Sequence, residues 1–384
     1  MLLTGLSTSK ERLEFLKDVV KPFSDRAWDH DKRASFPFEN IKDLKKVGYH
    51  SLTVPSEYGG LDISLLELVQ LQETIAKKDG STALSIGWHM GIIKHLGEKR
   101  TWEASIYEAL CKDVLHKETL INNASSESGT GSPTRGGRPE TLAVKKANHW
   151  VITGRKTFTT MSPVLDYFVV SAYIEEINEI GSFLIHKDCS GLSIDKTWDS
   201  VAMRGTGSDD LVLADVEVPF ENLVEYLIPG KKQAAGWLLH IPACYLGIAK
   251  AAQEYAVRFA QNYSPNSIEG SIVELPFVKQ KIGEMELAIQ QSQHFLYSVA
   301  RMWDESSDDE RQKMRALLGA VKHSVVNEAI NVVDLAMRVT GARSLSETNP
   351  LQRYWRDVRA GLHNPPMDDA TIGLLAEEII GKTK

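Results

Sequence analysis

The chain changes its apolar periodicity twice, and this limits the possible folds more than any single motif does. Up to about residue 120, apolar residues recur at helical spacing. Leu13, Leu16, Val20 and Phe23 share one face; Ile41, Leu44 and Val47 share another, with Gly48 as a stop. Ser64-Leu65-Leu66-Glu67 has the form of a capping box opening a helix that Gly80 would close. Trp102, Ile106, Ala109 and Val114 mark one more helix. Between about 121 and 230 the texture shortens to β-rich runs at 149–160, 167–173, 182–185 and 211–218. Gly154, Ser162-Pro163, Gly181 and Gly191 supply turn signals. No helix of useful length intervenes, so antiparallel pairing is expected in place of βαβ units. Helical patterns then return at 234–262, 276–304, 308–340, 351–362 and 367–380. The expected fold class is α+β: an N-terminal helical domain (1–120), a central antiparallel β domain (121–232) and a C-terminal four-helix-bundle-like domain (233–384).

Composition narrows the function classes. The 384 residues are 42% apolar and 25% charged, ordinary for a globular chain with a large core. The net charge of −7 argues against nucleic-acid or anionic-membrane partners, which need a basic surface. The acidic run at 304–310, DESSDDE, reads as a solvated turn. Cys111, Cys189 and Cys244 lie far apart without CxxC spacing, so neither a disulfide framework nor a metal site follows, and a cytoplasmic location is expected. The N-terminal apolar run is too short for a signal peptide, and His240, Pro242 and Lys250 interrupt the longest apolar stretch.

Several catalytic signatures are missing from the sequence. No GxGxxG follows a strand, and no HExxH, GxSxG or EF-hand loop occurs. Residues 131–136 have P-loop spacing, but Gly137-Arg138 stands where Lys-Ser/Thr is required. Four other motifs, in order, resemble the acyl-CoA dehydrogenase superfamily of flavoproteins. Ser126-Glu127-Ser128-Gly129-Thr130-Gly131-Ser132 is similar to its flavin loop. Val151-Ile152-Thr153-Gly154-Arg155-Lys156, followed by Phe158 and Thr160, is similar to a strand of that family. Met203-Arg204-Gly205-Thr206-Gly207-Ser208 with Val216-Glu217-Val218-Pro219 matches the end of its β domain, and Arg356-Asp357 matches the pair ahead of its catalytic loop. The resemblance covers nearly the whole chain. It implies FAD, or FMN in its place, held by Ser125, Ser126, Gly131, Ser132, Phe158 and Thr160. It also implies a homotetramer, a small-molecule substrate such as an acyl-CoA, and an electron-transfer partner or flavin reductase.

The chain departs from that family at the chemistry. Where most members carry a glutamate that removes the substrate α-proton, this chain has Pro365, which cannot accept a proton. The position used by another branch matches Trp237. The adenylate motifs are weakened too: Ser271-Ile272-Val273 replaces one, and only Gly341 survives from the glycines of another. The candidates left for catalysis are His363, His89 and Asp368, with His240 behind them. The first expectation is Cα–Cβ oxidation of an acyl-CoA-like substrate with a non-standard base, His363 or Asp368. The alternative is oxygenation by reduced flavin assisted by a histidine, and the third is a scaffold that binds flavin or acyl-CoA without catalysis.

Overall fold

A computed structural model of the protein describes residues 1–130, 136–228, 230 and 233–382. Six helices come first: α1 (Ser9–Val19), α2 (Phe23–Arg33), α3 (Phe38–Lys46), α4 (Leu65–Ala76), α5 (Gly80–Lys99) and α6 (Ala104–Lys117). Their ends follow from local chemistry. The Thr8 hydroxyl accepts from the Glu11 amide (3.2 Å) while the Glu11 carboxylate accepts from the Thr8 amide (3.0 Å), closing a capping box on α1. The apolar face from Leu13 to Phe23 is split by Pro22, which has no amide hydrogen to continue α1. Ser64 does cap α4, accepting from the Glu67 amide, but the Glu67 carboxylate turns to Arg12 instead of closing the box. Gly80 closes nothing. It is the first residue of α5, behind Asp79, whose carboxylate accepts from the Ser81 amide and caps that helix.

Eight strands follow: β1 (Ile121–Ala124), β2 (Leu142–Lys145), β3 (His149–Thr159), β4 (Tyr167–Ile174), β5 (Glu179–His186), β6 (Leu192–Asp195), β7 (Asp209–Pro219) and β8 (Leu223–Leu227). They form one sheet in the order β6-β7-β3-β2-β4-β5-β8, with β1 added on β4. Five of the pairings are antiparallel, but β1 and β2 each pair with β4 in parallel. The periodicity missed β1, β2, β6 and β8. Three of them are only four residues long and β8 five, too short to display a period.

The C-terminal part holds α7 (His240–Asn262), α8 (Pro276–Glu305), α9 (Asp308–Lys313), α10 (Arg315–Thr340), α11 (Pro350–Ala360) and α12 (Asp368–Lys382). The pattern across 308–340 is two helices, because the chain turns at Met314. Buried Ala249, Ala252, Ala256 and Ala260 let neighbouring helices approach α7 closely. Polar contacts tie the three parts together. Asp304, expected to be solvated, accepts from the Leu65 and Leu66 amides (2.7 and 2.9 Å) and completes the N-terminus of α4. Arg356 grips Asp31 on α2 (3.0 and 2.5 Å) and the Val201 carbonyl (2.5 Å), and Asp357 accepts from the Met203 amide (2.6 Å). The Arg-Asp pair thus clamps α11 to α2 and to the loop before β7. Among the described residues, no helix is long and apolar enough to cross a membrane.

Candidate functional site

The cradle expected for a flavin begins where β3 ends. The Thr157 amide donates to the Ser126 carbonyl (2.8 Å), which draws the loop after β1 alongside β3. The register between β3 and β7 shifts between Lys156 and Thr159, and Phe158 sits there with φ +57°. A left-handed conformation is unfavourable for a bulky residue and collects at functional sites. Its effect is to turn the Phe158 ring outward: the residue is 66% exposed, edge-on to Trp198. The neighbouring hydroxyls of Thr157 and Thr159 are buried and have no hydrogen-bond partner among the described residues. Thr160 is partly buried; its hydroxyl meets Ser208, which meets Thr206 (2.9 Å each). The Thr160 carbonyl accepts from the Asn122 side-chain amide (2.8 Å). Ser125 and Ser126 are half-buried beside these groups, whereas Gly131 and Ser132 lie outside the described residues.

Behind this surface the polar groups are tightly paired. Lys156 donates to Glu127 at 2.5 Å, and the two side chains are 0% and 2% exposed. Glu127 also accepts from the Glu140 and Thr141 amides and from the Thr130 and Thr141 hydroxyls. Burial works against the Glu127 charge, but the bonds from Lys156, Thr141 and the Glu140 amide outweigh it and hold the carboxyl below its ordinary value. Burial pulls the Lys156 ammonium down, and Glu127 offsets this only in part. The pair spans the loop and β3, so it fixes how Ser125 and Ser126 lie against the strand. Both residues occur in the quoted motifs. Their pairing could not be read there, because 29 positions separate them.

The helical side is less well satisfied. His89 on α5 is fully buried, and the backbone occupies both its nitrogens. Nδ1 accepts from the Ile121 amide (3.2 Å), which leaves Nε2–H to donate to the His50 carbonyl (2.8 Å). Burial lowers its pKa to about 3. His89 therefore joins α5 to β1 and to the 3-10 turn at residues 49–51, with no ring nitrogen left over for a substrate. Two residues earlier, Gly87 faces His240 at the start of α7. A Cβ at Gly87 would lie 2.4 Å from His240 Nδ1, so only glycine admits the ring. Trp237 stacks on His240 (5.9 Å between centroids, 11° between planes) and Trp88 meets it edge-on at 5.0 Å. His240 is 0% exposed, burial lowers its pKa to about 3, and neither ring nitrogen has a hydrogen-bond partner among the described residues. The Ser85 hydroxyl and His95 Nδ1 on α5 likewise have no partner among the described residues. Sequence reasoning ranked His240 last of the histidines. The available signal was its place among Trp237, Trp88 and Gly87, which only the α5–α7 packing brings together.

The loop between α11 and α12 closes the region. Gly361 packs against the Tyr245 ring, and the Tyr245 hydroxyl donates to Asn364 Oδ1 at 2.5 Å. His363 is exposed at the end of a 3-10 turn. Asp368 is held by Lys322 (3.1 Å), His323 (3.1 Å) and Asn327 (3.0 Å) of α10. Burial opposes its charge, but Asn327 and Lys322 keep the carboxyl below its ordinary value. Asp368 anchors the first turn of α12. Among the described residues, no hydrogen bond or ion pair joins His363, His89 and Asp368 to one another. A separate cleft of about 370 Å³ lies between the end of α7, the start of α8 and the end of α10, lined by Phe259, Tyr263, Phe277 and Arg343 among others; the Arg343 guanidinium rests 4.2 Å above the Tyr263 ring.

Three family models match the chain in sequence: the acyl-CoA dehydrogenase N-terminal domain over residues 9–100, the middle domain over 122–216 and the C-terminal domain over 239–364. The Bacillus subtilis (strain 168) protein YdbM, provisionally named an acyl-CoA dehydrogenase, is 51% identical over 371 residues, 96% of each chain. Two solved structures share the fold. TdsC from Paenibacillus sp. A11-2, in a complex with FMN and indole, has a TM-score of 0.86 at 22% identity, over 96% of this chain and 97% of that one. Butyryl-CoA dehydrogenase from Megasphaera elsdenii has a TM-score of 0.86 at 19% identity, over 98% and 99%.

Proposed function

The chain belongs to the acyl-CoA dehydrogenase family of oxidoreductases, and from that footing we propose that it is a flavin-dependent enzyme that uses reduced flavin and molecular oxygen to oxygenate a small apolar substrate. The cradle has the groups such a cofactor needs. Phe158 offers an exposed aromatic face, Ser126 offers a donor and Thr160, whose hydroxyl proton goes to Ser208, offers an acceptor to polar ring edges, and the hydroxyls of Thr157 and Thr159 beside them have no partner among the described residues. Ser125, Ser126, Phe158 and Thr160 are the described residues proposed to hold FAD or FMN, with Gly131 and Ser132 continuing the loop. When bound, the flavin stores two electrons and delivers them to oxygen or takes them from a substrate. Glu127 and Lys156 position the loop against β3. Trp88, Trp237 and the buried face of α5 exclude water from the adjoining space.

The observation that carries oxygenation over dehydrogenation is the fate of the acids and bases. Removing an α-proton needs an acceptor at the substrate. Pro365 has none, Asp368 is committed to α10, and His89 is committed to the backbone. His363 is exposed, and His240 would have to become charged inside an apolar box. Oxygenation needs no such base on the substrate. It needs dry surroundings with few charged groups, and the buried α5–α7 packing around Ser85, His95 and His240, all neutral, is of that kind. A flavin reductase is the partner this reading requires.

The second reading is Cα–Cβ oxidation of an acyl thioester. The provisional name of YdbM, half of whose residues are identical, favours it. One pair of experiments separates the two. Purified protein loaded with flavin and mixed anaerobically with acyl-CoAs of several chain lengths should keep its colour under the first reading; bleaching by any of them overturns it. Supplied with reduced flavin and isotopically labelled oxygen, the protein should consume oxygen faster when an aromatic substrate such as indole is present and place the label in the product.

A further inference from the structure

Trp198 has little duty in holding the fold. It is half-buried and belongs to neither hydrophobic core of the described residues. The loop that carries it is held by other groups. The Thr197 and Trp198 amides donate to the Asp209 carboxylate (3.1 and 3.0 Å), a backbone tie that any residue but proline at 198 would keep. Further along, the Met203 amide donates to Asp357 and Arg356 donates to the Val201 carbonyl. The indole N–H donates to the Met203 carbonyl (3.2 Å), but the Thr206 amide and hydroxyl donate to that same oxygen (3.1 and 2.9 Å), so it would not be left bare. What remains for the indole, among the described residues, is one ring contact: Phe158, edge-on at 6.1 Å between centroids and 79° between planes. Phe158 needs such a neighbour. It is exposed, on a left-handed backbone, and the bond from the Thr160 amide to its carbonyl (2.9 Å) fixes the main chain without touching the ring. An exposed side chain divides its time among up to three staggered orientations. A binding group that is competent in only one of them binds with an affinity reduced by that fraction.

We propose that Trp198 is a positioning residue for the flavin, acting through Phe158: its ring confines the Phe158 side chain to one orientation, so that a fixed aromatic face meets the cofactor. An edge-to-face pair suits this task, because it restrains the Phe158 ring and leaves at least one of its faces open. The loop that carries Trp198 is anchored to α11 by Asp357 and to β7 by Asp209, so the restraint reaches Phe158 from a fixed support. Phe158 is thereby ordered when the chain folds and not when the flavin binds. Trp198 lies outside the motifs that resemble the family, so neither its residue type nor its spacing announced this role. The inference rests on the proposed flavin cradle at the end of β3.

The test titrates the full chain, freed of flavin, with FMN and separately with FAD, and follows whichever binds more tightly. Trp198→Ala should weaken binding about threefold, the loss expected when one orientation in three is competent. Trp198→Phe keeps a ring but loses the indole N–H, and should restore nearly the full affinity. In a Phe158→Gly background, Trp198→Ala should have no further effect, because the ring it orients is gone. Thermal melts establish that each variant is folded; should Trp198→Ala fail to fold, Trp198→Leu, which keeps apolar bulk without a ring, takes its place. Unchanged affinity in Trp198→Ala, an equal loss in Trp198→Phe, or a loss that persists undiminished in the Phe158→Gly background overturns the proposal. Uptake of flavin with indifference to the side chain at 198 removes this inference alone, whereas a protein that takes up neither FMN nor FAD removes the flavin reading with it.

Discussion

The two sides of the candidate site are built on opposite principles. On the β side, Glu127 and Lys156 are buried together and every one of their charges has partners. On the helical side, His240 and Ser85 are buried and His95 is half-buried, each with a buried polar atom that has no partner among the described residues. A satisfied buried network rigidifies what it holds, while an unsatisfied one stays energetically poised for a ligand that completes it. On the proposed reading, the half that holds the cofactor is preorganised by the chain itself, and the half facing the substrate is not.

The largest effect should come from breaking the satisfied side. Lys156→Met leaves the Glu127 carboxylate buried without its cation, and should cost about 3–5 kcal/mol of stability in urea titration. It should also weaken flavin binding, because the loop then loses its tie to β3. A change within the noise would mean that the loop is held elsewhere and would level the contrast between the two sides.

Next comes a pH effect at the clamp. Burial raises the Asp357 pKa to about 7, against the opposing pull of the Met203 amide and Arg353. The sign follows from proton counting. Between its ordinary value and about 7 the folded protein holds a proton on Asp357 that the unfolded chain has lost, so this group's contribution to stability declines as pH rises through that window and is flat above it. Asp357→Asn keeps an oxygen for the Met203 amide and should remove that part of the slope, roughly 1.4 kcal/mol for each unit of displacement. An unaltered stability–pH curve would refute the assignment.

Phe158 sharpens the comparison at the cradle. Exposed and left-handed, it contributes little to folding, so Phe158→Gly should leave stability unchanged or raise it slightly. Flavin affinity should nonetheless fall about tenfold, the worth of roughly one aromatic contact. Smallest of all, Tyr245→Phe should cost about 1 kcal/mol through the lost bond to Asn364. If it lowers turnover without altering flavin content, the loop between α11 and α12 borders the substrate half.

Much of this was legible before any coordinates. The three textures placed the helices and the longer strands, because periods of 3.6 and 2 are local properties of an amphipathic segment. Phe158, Thr160 and Ser126 stood in motifs that lie close together in the structure. Other features were illegible for specific reasons. The four shortest strands exist only through their neighbours. Asp304 looked like part of a solvated run, but α4 needed an anion at its N-terminus. Gly80 looked like a stop, yet Asp79 beside it makes it a start.

What the sequence determined alone was the order of helical, β and helical parts and the replacement of the expected glutamate by Pro365, since both are matters of residue type and spacing along one chain. What only the tertiary structure decided was which side chains are already occupied. His89 and Asp368 were spent on backbone and on α10, while His240 was left unpaired between two tryptophans. Hydrogen bonding is settled by neighbours in space, and those neighbours come from helices and strands that the linear order keeps far apart.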